Sequence, residues 1–173
     1  MDIQPVFVDD TVRAVGMLAH RFGVAQASAN FLYVLLGSGV GSAVFVDGRP
    51  YLGSEGMAGE LGHVTVDEDG PWCSCGNRGC LEVMASMSAV LRRVKERLAE
   101  SPLASALREP YEEDDLTLSA LIEAALAGDK MAFQVLDETG MYVGSVLAIA
   151  FTPGSSPSKT TTMLLLYRLR IWS

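Results

Sequence analysis

Four side chains able to hold a soft metal ion fall within one stretch, GELGHVTVDEDGPWCSCGNRGCLE, from Gly59 to Glu82. His63 is followed after ten residues by Cys73, after two more by Cys75 and after five more by Cys80. These are the three cysteines of the chain. One imidazole and three thiolates form the closed four-ligand shell of a structural zinc site. Sulfur and nitrogen donors also favour zinc over magnesium or calcium, which take oxygen. Gly76 and Gly79 allow a tight backbone knuckle between Cys75 and Cys80. A disulfide framework is the competing use of cysteine. An odd count, behind a start (MDIQPVFVDD) without the basic and apolar regions of a signal peptide, argues against it. The reading is a Zn²⁺ site made of His63, Cys73, Cys75 and Cys80, with reduced thiols and cytoplasmic residence to match.

The elements around this stretch follow from pattern. Pro5 to Val8 reads as a short strand. Thr11 to Phe22 reads as a helix, with Asp10 or Thr11 as N-cap and Gly23 as the stop. Phe31 to Leu36 is an apolar run that reads as a buried strand. Ser42 to Val46 continues it as a second strand, and Asp47-Gly48 is the turn after that. Glu82 to Glu100 carries Val83, Met84, Met87, Val90, Leu91, Val94 and Leu98 at helical spacing. Leu116 to Ala127 and Met131 to about Ala150 read as two further helices. Glu109 to Asp115 reads as an acidic solvated loop. His20 reads as a solvated helix residue, and Trp72 as a ring packed over the metal loop. Between the two strands, Gly37, Gly39 and Gly41 leave room for backbone N–H groups to approach a phosphate.

With 173 residues and 49% hydrophobic content, the chain can bury one sizeable core. A formal net charge of −8 disfavours phosphate-backbone binding, so no nucleic-acid contact is expected from this chain itself. No apolar run approaches the ~20 residues that span a bilayer.

The order of these elements identifies a family. Leu36-Gly37-Ser38-Gly39-Val40-Gly41, then Gly53-Ser54-Glu55-Gly56-Met57-Ala58-Gly59-Glu60, then GELGH and CSCGNRGCLE together resemble the signature of the ROK family (repressors, open reading frames and sugar kinases). The resemblance runs from about Val6 to about Pro153. It implies an α/β lobe of actin-like, hexokinase-like (ribonuclease H-like) fold, here incomplete and carrying a zinc knuckle. It also implies that Glu60, His63 and Glu82 hold sugar hydroxyls, and that Gly37, Gly39 and Gly41 border ATP phosphates in kinase members. Family members often form dimers or tetramers, so a homo-oligomer is a possible state.

Two departures matter for function. The family's kinases place an Asn-Asp pair at the first large-lobe helix, the Asp being the catalytic base. Here the matching residues are Asp10 and Thr11, so no catalytic residue is assigned. Asp10, one position off, is the sole rescue candidate, and both residues can still bind hydroxyls. In addition, the sequence contains neither the family's DxGxT element nor the regulators' helix-turn-helix. Residues 1–153 therefore read as a partial sugar-binding lobe, and 154–173 as an atypical, disordered tail. The resulting expectation is the zinc-stabilised, sugar-sensing lobe of a transcriptional regulator, without kinase activity. The rival is a piece of an ATP- and Mg²⁺-dependent, glucokinase-like sugar kinase.

Overall fold

The computed structural model describes residues 10–100, 104–150 and 162–167. Two compact units divide the α/β chain. Of the described residues, the first holds 10–35, 41–60 and 162–166, and the second holds 36–40, 61–100, 104–150 and 167.

The first unit is built on a sheet. Helix α1 (Thr11–Phe22) starts where the Asp10 carboxylate accepts the Val12 N–H at 2.7 Å. That satisfies one of the donors left unpaired in any first helical turn. It ends at Gly23, whose N–H returns to the Ala19 carbonyl at 3.0 Å, with His20 and Arg21 in the last turn. Strands β1 (Phe31–Leu36), β2 (Val40–Val46) and β3 (Arg49–Pro50) follow. Phe31 to Val34 are all buried, as an apolar run without alternation requires. Val12, Ala25, Tyr33 and Ala43 pack in one core with Phe31 and Phe45, whose rings stack 4.3 Å apart. β3 pairs antiparallel with β2 across the Asp47-Gly48 turn, matching Phe45 with Pro50 and Val46 with Arg49. The strand order is β3-β2-β1-β4, where β4 is Thr162–Tyr167. β4 lies within the 154–173 stretch and stands at one end of this order. Pro5 to Val8 and the rest of 154–173 lie outside the described residues.

The second unit is helical apart from the glycine loop and the cysteine segment. Helices α2 (Leu81–Ala85), α3 (Met87–Glu100), α4 (Arg108–Glu112), α5 (Leu118–Leu126) and α6 (Lys130–Ala150) make it up. Its core joins Val90, Val94 and Leu98 of α3 with Leu121 of α5 and Val135 of α6. Thr117 caps α5 through the Ala120 N–H. Asp129 caps α6, accepting from the Ala132 N–H at 3.0 Å and tying in the Ser105 hydroxyl and the Ala106 N–H.

Two elements depart from the sequence reading. The continuous helix expected over Glu82 to Glu100 is broken at Ser86, whose backbone is extended. The Ser86 hydroxyl accepts the Ala89 N–H, and the Met87 N–H donates to the Gly37 carbonyl at 2.8 Å. The break costs helix continuity and gains a new N-cap and an anchor for the glycine loop. The acidic loop expected over Glu109 to Asp115 is helical in its first half. Leu107, buried to 1%, anchors α4, which ends before Asp114 at φ +55°.

Candidate functional site

The cysteine segment folds on its own hydrogen bonds. The Cys73 N–H donates to the Asn77 carbonyl at 2.8 Å and the Gly76 N–H to the Cys73 carbonyl at 3.0 Å. Thr65 bridges Cys80 and Trp72 bridges Arg78, each antiparallel. Gly79 sits at φ +55°, where a Cβ would stand 1.5 Å from the Asp67 carbonyl oxygen. No other residue type fits there, and the turn that returns the chain to Cys80 depends on it.

These turns converge four ligand atoms. One atom each from His63, Cys73, Cys75 and Cys80 lies within 4.8 Å of all the others. The Cys75 and Cys80 sulfurs are 3.5 Å apart, and the Cys73 sulfur is 3.6 Å from His63 Nδ1. A tetrahedral zinc, with sulfur at about 2.3 Å and nitrogen at about 2.0 Å, requires edges of about 3.8 Å and about 3.5 Å respectively. The cluster fits that ion in donor chemistry and in size. Cys73 and Cys80 are buried and Cys75 is exposed. Burial pushes the Cys80 thiol up to about 12, and the neighbouring thiols Cys75 and Cys73 add to this. The Asn77 backbone N–H favours the Cys75 thiolate and lowers its value against a smaller opposing effect of burial. A nearby cation would favour the thiolate form of such a group, as a coordinated metal does.

The last ligand leads directly into a second feature. Cys80 occupies the N-cap position of α2, and Glu82 lies in the first turn of that helix. Glu82 Oε2 accepts the Val40 N–H at 3.2 Å. Gly39 makes this possible, because a Cβ there would stand 2.6 Å from the same oxygen. The Gly37 N–H closes the loop onto the Gly39 carbonyl at 2.9 Å. At Gly41 a Cβ would meet Val12 Cγ2. None of the three adopts a positive φ, so clearance, not turn geometry, is what requires glycine at 39 and 41.

Of the remaining sequence-predicted residues, Asp10, Thr11 and Glu60 belong to the first unit, and His63 and Glu82 to the second. Asp10 is the N-cap of α1, as the sequence reading expects, while Thr11 and Glu60 are exposed. His20 is half-buried, not solvated. Its Nδ1 lies 3.1 Å from the Ala25 carbonyl, and its ring is 5.6 Å from Phe31.

Trp72 also departs from expectation. It is 70% exposed instead of packed over the metal loop. It lines a cavity of about 500 Å³ with Ser38, Gly39, Glu82, Ser88 and Arg92. The signal for this was its position between Pro71 and Cys73, in a turn with no apolar periodicity to bury it. Arg92 and Ser88 carry no motif and were not legible.

Among the described residues no helix is long and apolar enough to cross a membrane.

Known proteins place this geometry. The model of the ROK family matches residues 3–154. Over 144 residues the chain is 34% identical to the DNA-binding transcriptional dual regulator NagC of Escherichia coli, covering 83% of this chain and 34% of NagC. A solved ROK family transcriptional regulator, a homologue of E. coli Mlc, is similar with a TM-score of 0.74 and 34% identity, over 84% of this chain and 36% of that one. A ROK family glucokinase from Streptomyces griseus, solved with glucose and AMPPNP, gives a TM-score of 0.74 and 32% identity, over 84% of this chain and 48% of that one. The chain spans less than half the length of each of these proteins. The glycine loop, the cysteine knuckle and these similarities together establish that the chain belongs to the ROK family.

Proposed function

We propose that this chain is the effector-binding lobe of a ROK-family transcriptional regulator: it senses a sugar, is held by a structural zinc ion, and has no kinase activity. The observation that carries the reading is the state of Asp10. Phosphoryl transfer to a sugar needs a carboxylate within reach of the attacking hydroxyl. The family pattern puts Thr11 at that place, and a threonine hydroxyl takes up no proton near neutral pH. Asp10 is one residue away, a rotation of about 100° on a helix, and its carboxylate caps α1 through the Val12 N–H.

Binding needs less than catalysis. Glu60 and Glu82 are acceptors for vicinal hydroxyls. His63 can offer Nδ1 to the metal and its other nitrogen to the sugar, with Asp10 and Thr11 as further hydroxyl partners. Gly37, Gly39 and Gly41 are the inherited phosphate loop, with Gly39 now serving to seat Glu82. The net charge of −8 supports assigning DNA contact to a part of the regulator outside this chain.

The test is incubation with ATP, Mg²⁺ and a panel of hexoses, with calorimetric sugar titration in parallel. Saturable binding without turnover is the expected outcome. Turnover would sink the sensor reading in favour of an ATP-dependent hexose kinase, a second reading supported by the similarity to the S. griseus glucokinase. In that case Asp10→Asn abolishes phosphorylation and Thr11→Ala does not.

A further inference from the structure

Resting on the sugar reading of Glu82, we infer that the cavity between the cysteine knuckle and α3 is a second subsite: it takes a ring attached to the bound hexose, stacked on Trp72. The sensor's effector is then a glycoside or disaccharide and not a bare hexose.

Trp72 is the starting point. An indole that is 70% exposed contributes little to the core, so stability does not explain it. The ring nevertheless has a partner. Its backbone bridges Arg78, and the Arg78 guanidinium lies 5.2 Å from the ring centroid. Arg78 is itself held by Nε donating to the Gly70 carbonyl at 3.1 Å. An aromatic surface open to a cavity is a ready-made platform, because a ring offers large contact area with few rotatable bonds to order on binding.

The rest of the cavity defines what would lie on the platform. Glu82 supplies a carboxylate acceptor, and on the sugar reading the same side chain also meets the hexose. Ser88 supplies a hydroxyl bonded to the Ser38 carbonyl at 3.4 Å and to the Ser86 hydroxyl at 3.1 Å. The Arg92 guanidinium is positioned by Nη2 donating to the Val83 carbonyl at 3.1 Å. An aromatic face with hydroxyl, carboxylate and guanidinium groups around it matches a ring with an apolar face and hydroxyls at its edge. The volume of about 500 Å³ lies within the range of small-molecule sites.

The experiment is calorimetric titration of the full chain with glucose, N-acetylglucosamine and N-acetylmannosamine, each free and as its phenyl glycoside. For the hexose that binds, the phenyl glycoside should bind about tenfold tighter through ring stacking. That ratio should fall to near one in Trp72→Ala and return in Trp72→Phe, which keeps a ring. Because a ratio is read, a general weakening of the variant does not imitate the effect. A free hexose binding as tightly as its phenyl glycoside overturns the inference and leaves the sugar reading standing. Binding of neither overturns both. Tight binding of ATP alone, lost in Trp72→Ala, overturns it in favour of a nucleotide platform.

Discussion

Gly39→Ala is the sharpest test of how the site is held. The added Cβ would stand 2.6 Å from Glu82 Oε2 and 3.5 Å from its Cδ. The carboxylate ends a flexible side chain, so it moves and the loop stays. Its hydrogen bond from the Val40 N–H is then lost, and Val40 is buried to 6%. A charge-assisted bond to a buried N–H is worth about 1.5–3 kcal/mol. Alanine returns about 0.4–1 kcal/mol by stiffening the unfolded chain. The net loss is about 1–2 kcal/mol, or a fall in thermal midpoint of about 2–8 °C for a chain of this length. On the proposed function, displacing the carboxylate that accepts a sugar hydroxyl costs a further charged hydrogen bond, so affinity should drop about 10- to 100-fold. The control is Gly37→Ala, whose Cβ meets only the Gly39 carbonyl oxygen at 3.9 Å and should change little. Thermal melts and calorimetric titrations of both variants, and of each combined with Glu82→Ala, complete the cycle. If Gly39 acts through Glu82, the double variant is no worse than Glu82→Ala alone. Equal effects at 37 and 39, or full additivity with Glu82→Ala, would refute the reasoning.

The cysteine cluster and the α6 cap give three further expectations. Elemental analysis should find about one zinc per chain, with Cys75→Ser or a strong chelator removing it together with cooperative unfolding; unchanged melting after removal would sink the metal site. Gly79→Ala should lose zinc as well, because a Cβ 1.5 Å from the Asp67 oxygen cannot coexist with the turn; wild-type metal content would count against this. Asp129→Ala should cost about 1 kcal/mol in denaturant melts through loss of the α6 cap. At Asp129, partial burial opposes ionisation, but the Ala132 N–H, the Ser105 hydroxyl and the Ala106 N–H prevail and hold the carboxyl below its ordinary 3.8. The native state thus favours the ionised form. Its contribution is fully present above pH 3.8 and is lost as pH falls through the lower folded value. A wild-type-minus-variant stability difference that persists unchanged below that window would contradict the assignment.

Much of this was legible in the sequence because it is local. Asp10 before a periodic run, Gly23 after it, and the Asp47-Gly48 turn announce themselves within a few residues. The clustering of His63, Cys73, Cys75 and Cys80 was legible because their chemistry restricts partners more than topology does. What escaped is what depends on contacts distant in sequence. The break at Ser86 leaves the apolar spacing of 83 to 98 intact, and its compensation is a carbonyl 50 residues away, at Gly37. The role of Gly39 is equally remote, since the loop motif suggests a phosphate and the structure supplies a carboxylate 43 residues on. The α4 helix was masked by its acidic residues, because one buried leucine anchor decides it and composition does not.

On the proposed function, the His/Cys cluster and the sugar acceptor form one mechanical device. Cys80 is both the last residue of the His63/Cys73/Cys75/Cys80 cluster and the N-cap of α2, and only Leu81 separates it from Glu82. The Leu81 N–H pairs with the Val64 carbonyl at 2.8 Å, next to His63, so ligands at both ends of the segment bracket the start of α2. α2 has five residues, too few to hold an orientation by its own hydrogen bonds. On one side it is tied to the ligand cluster; on the other, the Gly37 carbonyl anchors Met87 just past the break. A zinc ion binding there would orient Glu82 without touching the sugar. Metal loss should therefore weaken sugar binding before the helical core around Val94 and Leu121 unfolds. Measured at a chelator concentration where far-ultraviolet circular dichroism is unchanged, a drop in sugar affinity supports this coupling. An affinity that falls only in step with helix content would leave the zinc as a stabiliser of the whole unit and nothing more.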